Sequence, residues 1–390
     1  MIKQILSIAF IVITTTSYAQ FAYTEPASNS KDSEFKFTKV AHLDATPVES
    51  QGNTGTCWSF ATLSFFESEL IRMGNDTPDL LSEMFVARKA YESKAEKYLK
   101  MNGKIQFSEG GLSHDVPFVI KNYGIVPLEV YDGLADESKV HNHSEMFGVL
   151  QSMVDGLMSY TAVNSRKLSP AWKNALNGIL DAYLGNDINE FEFKGKKYTP
   201  KTYAKEIGIE IDNYISITSF TNHPINEQCI LQLPDNWSWG ESSNVALSDL
   251  VKITERALKQ GYTIAWDADV SEEGFSFSNG LAINPTNKSI FEDMTKAFIN
   301  PVEEVDVTAE LRQEGYENKS TTDDHLMHIV GEYLDQNGSK YFLVKNSWGT
   351  NNFPQGYLYV SESYFKMKTI SVYMHKDALS KTMKEKLNVN

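Results

Sequence analysis

The hydrophobic period of this chain changes once, near residue 213, and that change limits the folds open to it. Before it, apolar residues recur at helical spacing. Phe60, Leu63, Phe66 and Leu70 follow a 3.6-residue period across 57–73, and Gly74-Asn75 supplies a stop. A second helix is expected from Ser82, a plausible N-cap, to about Leu99, and a third over 116–123, ending at Gly124. Residues 134–212 remain helix-biased and charge-rich, with breaks at Pro170 and Gly185. Beyond 213 the spacing becomes two. Segments 214–218 and 263–266 alternate as strands do, with a helix over 248–259 between them. Further strands are expected at 328–333, 340–345 and 356–360. Residues 20–45 read as a polar surface lead-in. The expected fold class is α+β: a helical lobe over about 57–133, a helical insertion over about 134–212, a strand-rich lobe over about 213–375 and a helical tail at 376–390.

Composition narrows the function. The chain has 390 residues, 41% apolar and 22% charged, which excludes a largely disordered protein. A net charge of −15 argues against a nucleic-acid partner, which calls for a basic face, and against docking on an anionic membrane. At the N-terminus, Lys3, the apolar run 5–13 and Ser17-Tyr18-Ala19 form the pattern of a signal peptide over 1–19, leaving 20–390 as an exported chain, periplasmic or secreted. That run is too short to span a bilayer, and no other stretch reaches the length of about 20 residues needed, so no membrane anchor is expected. The two cysteines, Cys57 and Cys229, cannot build a disulfide framework or a four-cysteine zinc site. Cys229 has no chemical context and reads as a buried free thiol.

Cys57 is different. In Gln51-Gly52-Asn53-Thr54-Gly55-Thr56-Cys57-Trp58 the glycines allow a sharp turn, and the cysteine then opens an amphipathic helix. The partial positive charge of a helix N-terminus favours thiolate over thiol. Gln51 is placed to donate to an oxyanion forming beside the sulfur. A thiol nucleophile needs an acid–base partner. Of eight histidines, His325 stands out: it heads a strand, and Asn346-Ser347-Trp348-Gly349 follows 21 residues on, an interval that suits a hairpin returning Asn346 to the imidazole. Asn346 can fix the ring's tautomer and tilt, and Trp348 can shield that bond from water. His328 competes for the role, but strand geometry puts it on the opposite face. His141 and His143 make too weak a pair to hold a metal.

These strings resemble the papain-like cysteine peptidases: Gln-Gly-x-x-Gly-x-Cys-Trp, Asp-His with Gly331 six residues after the histidine, and Asn-Ser-Trp-Gly-Thr. The resemblance implies Cys57 as nucleophile, His325 as general acid/base, Asn346 as its orienter and Gln51 as oxyanion donor. It further implies Gly110 and Gly111 as the glycine pair that aligns a substrate strand, with Leu81-Ser82-Glu83 in the family's second-helix segment. The fold implied has a helical lobe and a β-barrel-like lobe, acting on peptide or protein substrates without metal or organic cofactor. Two departures point to one branch. Thr54 stands where papain carries a disulfide cysteine, and 268 residues separate Cys57 from His325, against roughly 130–150 in papain. Both features are similar to the bleomycin hydrolase and aminopeptidase C branch, as are Tyr123-Gly124-Ile125-Val126-Pro127 and Tyr198-Thr199-Pro200. In that branch a C-terminal arm enters the cleft and its carboxylate holds the substrate's amino group. Here residues 376–390 read as a helix that stops about where such an arm would begin. An aminopeptidase is therefore expected, with an open-cleft endopeptidase or a non-catalytic peptide-binding protein as alternatives. The oligomeric state, a hexamer included, stays open.

Overall fold

A computed structural model describes residues 27–389 apart from 136–138, 164–165 and 295. The expected signal segment at 1–19 lies outside the described residues. In chain order the elements are β1 (Thr38–His42), α1 (Cys57–Arg72), α2 (Glu83–Lys100), α3 (Asp115–Tyr123), α4 (Ser144–Thr161), α5 (Ala171–Leu184), β2 (Phe191–Phe193), β3 (Lys196–Tyr198), α6 (Pro200–Ile207) and β4 (Tyr214–Thr218). There follow β5 (Gln228–Ile230), β6 (Glu241–Asn244), α7 (Leu247–Lys259), β7 (Ile264–Ala268), β8 (Phe275–Ser276), β9 (Leu281–Ala282), α8 (Ala309–Glu317), β10 (His325–Leu334), β11 (Lys340–Lys345), β12 (Tyr357–Ser361), α9 (Glu362–Lys368), β13 (Thr369–His375) and α10 (Lys381–Leu387). Among the described residues no helix is long and apolar enough to cross a membrane.

The first three helices form as their sequence dictates. Ser82 caps α2, its hydroxyl accepting the Phe85 N–H at 3.0 Å. Gly124 closes α3 at φ 92°. α1 is buried on every face from Cys57 to Leu70, so it is a central helix and not a surface one. The expected insertion does not stand apart. Leu150 and Val154 of α4, Leu176 and Leu180 of α5 and Tyr203 of α6 join the core built on Trp58, Phe65 and Phe85. It also contains the short β2–β3 hairpin, which its charge-rich sequence concealed.

The strand-rich lobe is one sheet, running β5-β6-β4-β13-β7-β10-β11-β12-β9-β8, and among the described residues this path is open where a barrel-like closure was expected. β1, read from sequence as polar lead-in, pairs with β10 from Thr38↔Leu334 to His42↔Gly331. β10 and β11 form the expected hairpin. α7 packs one apolar core against the sheet with Trp266, Met327 and Phe342. Phe35, Phe37, Tyr341 and Tyr359 belong to a second core cluster. The tail begins with a 3-10 turn at Lys376–Ala378 and continues as α10, where Met383 and Leu387 enter the α7 core and Lys386 lies 3.9 Å from Asp249.

α1 joins the lobes by packing on β7 and β10. Behind the sulfur this contact carries a polar relay. Buried Lys345, the last residue of β11, donates to Ser64 Oγ at 2.7 Å and Thr46 Oγ1 at 3.1 Å. Ser64 reaches His328 Nδ1 at 2.9 Å, and Thr46 donates to Glu67 Oε2 at 2.5 Å. Glu67 Oε1 in turn accepts the Leu81 N–H at 2.8 Å. Burial pushes the Lys345 ammonium down to about 8, while the Glu67, Glu49 and Glu83 carboxylates hold it up. Removing the ammonium leaves Glu67 and Glu83 without their counter-charge. Lys345→Ala is expected to cost about 3–5 kcal/mol, read as a lowered midpoint in urea unfolding with an unchanged m-value.

Candidate active site

The turn before α1 is held by its own hydroxyls. Thr54 Oγ1 donates to Gln51 O at 2.9 Å and lies 2.5 Å from Thr56 Oγ1. Gly52 sits at φ 62°, and a Cβ there would meet the His141 carbonyl at 2.4 Å. Glycine is needed because the insertion lies across this turn: the Asn53 N–H donates to His141 O at 2.8 Å and the His143 N–H to Asn53 O at 3.2 Å. His141 and His143 therefore serve packing, and His143 Nδ1 lies 3.2 Å from the Tyr91 hydroxyl.

Cys57 is the first residue of α1, and Thr56 makes no side-chain cap. Gln51 is fixed at both ends of its amide. Its Nε2 donates to Thr54 O at 2.7 Å, and its Oε1 accepts from Ser347 Oγ at 2.7 Å. One Nε2 hydrogen remains for another acceptor. The Gln51 N–H also donates to Ser347 O at 2.9 Å, so the turn is stitched to the loop after β11.

His325 opens β10. Its Nε2 meets Asn346 Oδ1 at 2.7 Å, and the same oxygen accepts the Ser347 N–H at 2.7 Å. An amide oxygen only accepts, so Nε2 carries the hydrogen and Nδ1 of the neutral ring keeps its lone pair. Trp348 covers the imidazole at 4.6 Å between centroids and 30° between planes. It is itself braced edge-on by Phe275 and Phe277. His328 faces the lobe contact instead, against Ser64 and Phe65.

A cavity of ≈ 440 Å³ lies between the two lobes. Cys57 and Gly55 line it from the α1 side, and Asp323, Asp324 and Leu326, which flank His325 in sequence, line it from β10. The Leu326 N–H donates to the Cys57 sulfur. Gly110 and Gly111 form a further wall. That wall is pinned from behind: Trp58 Nε1 donates to Glu109 O at 3.0 Å, Lys94 Nζ to Ser108 O at 3.0 Å and to Gly110 O, and the Leu112 N–H to Asp115 Oδ2 at 2.9 Å.

The electrostatics differ from the sequence expectation of a thiolate. Burial pushes the Cys57 thiol up to about 12; the Leu326 N–H opposes this, and Asp323, Asp267 and Asp235 add to it. Burial likewise pushes His325 down to about 4, against Asn346 and Asp324. Neither ion is favoured alone, because desolvation is the largest cause at both groups. The proton can pass from sulfur to Nδ1 only in a step that creates both charges together.

Cys57, Gly110 and Gly111 thus line this cavity, His325 is joined to Asn346 and covered by Trp348, and Gln51 is tied to the Asn346 loop through Ser347. Sequence reasoning missed Glu109 and Asp235, which also line the cavity. Asp323 was in view, as the neighbour of the Asp324-His325 pair, but its side chain was not assigned a place. Cys229, on β5, is buried against Phe220 and Ile370 and pushed up to about 11 by that burial.

A cysteine at the start of a helix in one lobe, and an asparagine-held imidazole at the head of a strand in the other, fit the class of papain-like cysteine peptidases. The model of the Peptidase C1-like family matches residues 181–390, including His325 and Asn346, and the chain belongs to that family. Aminopeptidase C of Lactococcus lactis subsp. cremoris is 24% identical over 386 residues, covering 87% of this chain and 83% of the relative. Aminopeptidase G of Lactobacillus delbrueckii subsp. lactis is 23% identical over 405 residues, covering 90% and 86%. The crystal structure of PepW from Lactobacillus rhamnosis HN001 shares the fold, with TM-score 0.71 and 21% identity over 90% of this chain and 84% of that one.

The geometry sets an expectation for Asn346→Ala. Losing the Oδ1 acceptor frees the ring to rotate and to change tautomer, so kcat is expected to fall roughly 10²-fold with KM little moved. The lowered His325 value also fixes the acid limb. The ring stays neutral as pH falls toward 4 and is protonated below it. The kcat/KM of an N-blocked substrate should therefore hold through pH 5 and drop beneath it, which a pH–rate profile reads directly.

Proposed function

We propose that this chain is a thiol aminopeptidase that hydrolyses peptide bonds through Cys57, His325, Asn346 and Gln51. The observation that carries the reading is the single cavity lined by Cys57 from α1 and by the residues flanking His325 from β10, with the ring tied to Asn346. The names of the relatives support the exopeptidase half of it.

Sγ of Cys57 attacks the scissile carbonyl carbon as its proton moves to Nδ1 of His325. The carbonyl oxygen becomes an oxyanion held by the second Nε2 hydrogen of Gln51 and by the Cys57 N–H at the start of α1. The imidazolium passes its proton to the leaving amine, the C–N bond breaks and a thioester remains. Water, giving a proton to the ring, attacks the thioester. The carboxylic acid leaves, and sulfur recovers its proton from His325. Asn346 keeps the imidazole in one orientation for both halves, and Gly110 and Gly111 let a substrate backbone approach the wall closely.

One observation favours a second reading, an endopeptidase with an open cleft. Through Val389 the described tail packs with α7, and none of its residues lines the cavity beside Cys57. The two readings separate on a fluorogenic peptide with a free amino terminus and its N-acetylated twin. The aminopeptidase reading expects kcat/KM for the free amine to exceed that for the acetylated form by about tenfold or more, and equal turnover overturns it. Cys57→Ala should abolish both activities, and full residual activity in that variant would refute the thiol mechanism.

A further inference from the structure

The cavity beside Cys57 is lined by four carboxylates, and two of them are already engaged. Glu109 accepts the Gly55 N–H at 2.6 Å. Asp324 accepts the Val270 and Ser271 N–H groups and the Thr322 hydroxyl. The other two are Asp235 and Asp323. Asp235, brought in from the connection between β5 and β6, uses one oxygen, Oδ1, for Ser108 Oγ at 3.0 Å and Gln106 Nε2 at 3.2 Å. Its other oxygen lies over Gly110, where an added Cβ would come within 1.8 Å of it. The carboxylate thus fills the place a side chain at 110 would take.

Asp323 presents a second, independent demand. Its Oδ2 is buried without a donor, and so is Oδ1 of Asp267, whose side chain is wholly buried on β7. Burial holds the Asp267 carboxyl well above the usual carboxylate range, with the Asp323 charge adding to it, and burial pushes Asp323 up to about 7, with Asp235 adding to that. Of the two, Asp323 is the one that lines the cavity. Lys94 is buried behind that wall and spends its ammonium on the Ser108 and Gly110 carbonyls.

This is a site short of hydrogen-bond donors and of positive charge, next to a nucleophilic sulfur. All three carboxyl groups act on that sulfur through space. In a peptide the α-nitrogen of the first residue is only two bonds, about 2.5 Å, from the carbonyl carbon that sulfur attacks. A free α-ammonium on the scissile residue must therefore lie within a few ångströms of the sulfur. It brings three donors and one positive charge.

We propose that Asp235 and Asp323 bind the α-ammonium of the substrate's N-terminal residue. Amino-terminal selection then comes from side chains of the cleft wall and not from the described tail. The proposal rests on the aminopeptidase reading and names its specificity determinant.

The test compares alanine 4-methylcoumaryl-7-amide with its N-acetyl form on the full chain. The readout is the ratio of kcat/KM for the free amine to that for the acetylated form. Asp235→Asn and Asp323→Asn are each expected to lower that ratio about 10- to 100-fold, chiefly through KM for the free amine. Gly110→Ala should lower it in the same direction, since the methyl group displaces the Asp235 carboxylate. An unchanged ratio in Asp235→Asn and Asp323→Asn overturns the proposal. So does a loss that appears only with N-acetyl-Arg-Ala-4-methylcoumaryl-7-amide, which would assign the carboxylates to a basic side chain instead. If the unaltered protein shows no preference for the free amine while alkylation of Cys57 still stops turnover, the aminopeptidase reading itself fails, and the anchor with it.

Discussion

The Lys345 ammonium is the interaction on which the cleft depends. It lies between helix α1, which carries Cys57, and the turn after β11, which carries Asn346 as the next residue. Through Ser64 it ties the helix to His328 on β10, and through Thr46 it reaches Glu67 of the same helix. A cation so deeply buried is tolerated because two hydroxyls accept from it and the Glu67, Glu49 and Glu83 carboxyl groups act on it through space. The same contacts fix the offset between the two lobes. The sulfur belongs to one lobe and the imidazole to the other, so their alignment is inherited from this relay and not from any local motif.

Around that joint the site is tightened by short polar contacts. Asn346 Oδ1 holds both the ring and its own loop, while Ser347 holds Gln51. Each group that would touch the reacting carbonyl is thereby restrained by a neighbour with a second task. Such preorganisation matters here because burial makes the separate ions unfavourable. Geometry must bring sulfur and ring together before charge can form.

What the sequence disclosed is what lies close along the chain. The turn before Cys57, the Ser82 cap, the Gly124 stop and the β10–β11 hairpin that returns Asn346 to His325 all depend on neighbours within a few tens of residues. What it withheld is long-range. β1 is too polar to read as a strand, and its pairing is with β10, nearly 300 residues on. The insertion reads only as helix-biased and charge-rich, and nothing local shows that Leu150, Leu180 and Tyr203 fall into the helical core. Asp235 could not be foreseen: nothing in its own segment marks it, and only the packed fold sets it over Gly110. The thiol's upward shift was also illegible, since a helix start is a local feature and burial is a global one.

The hydroxyl clasp at Thr54 and Thr56 has a chemical corollary. Both cysteines are unlinked, so no part of the reactive turn relies on an oxidised crosslink for its shape. Surroundings reducing enough to protect Sγ from sulfenic acid leave this scaffold intact. Nucleophile upkeep and loop architecture are thus uncoupled, and the same turn keeps its form on either side of a redox boundary.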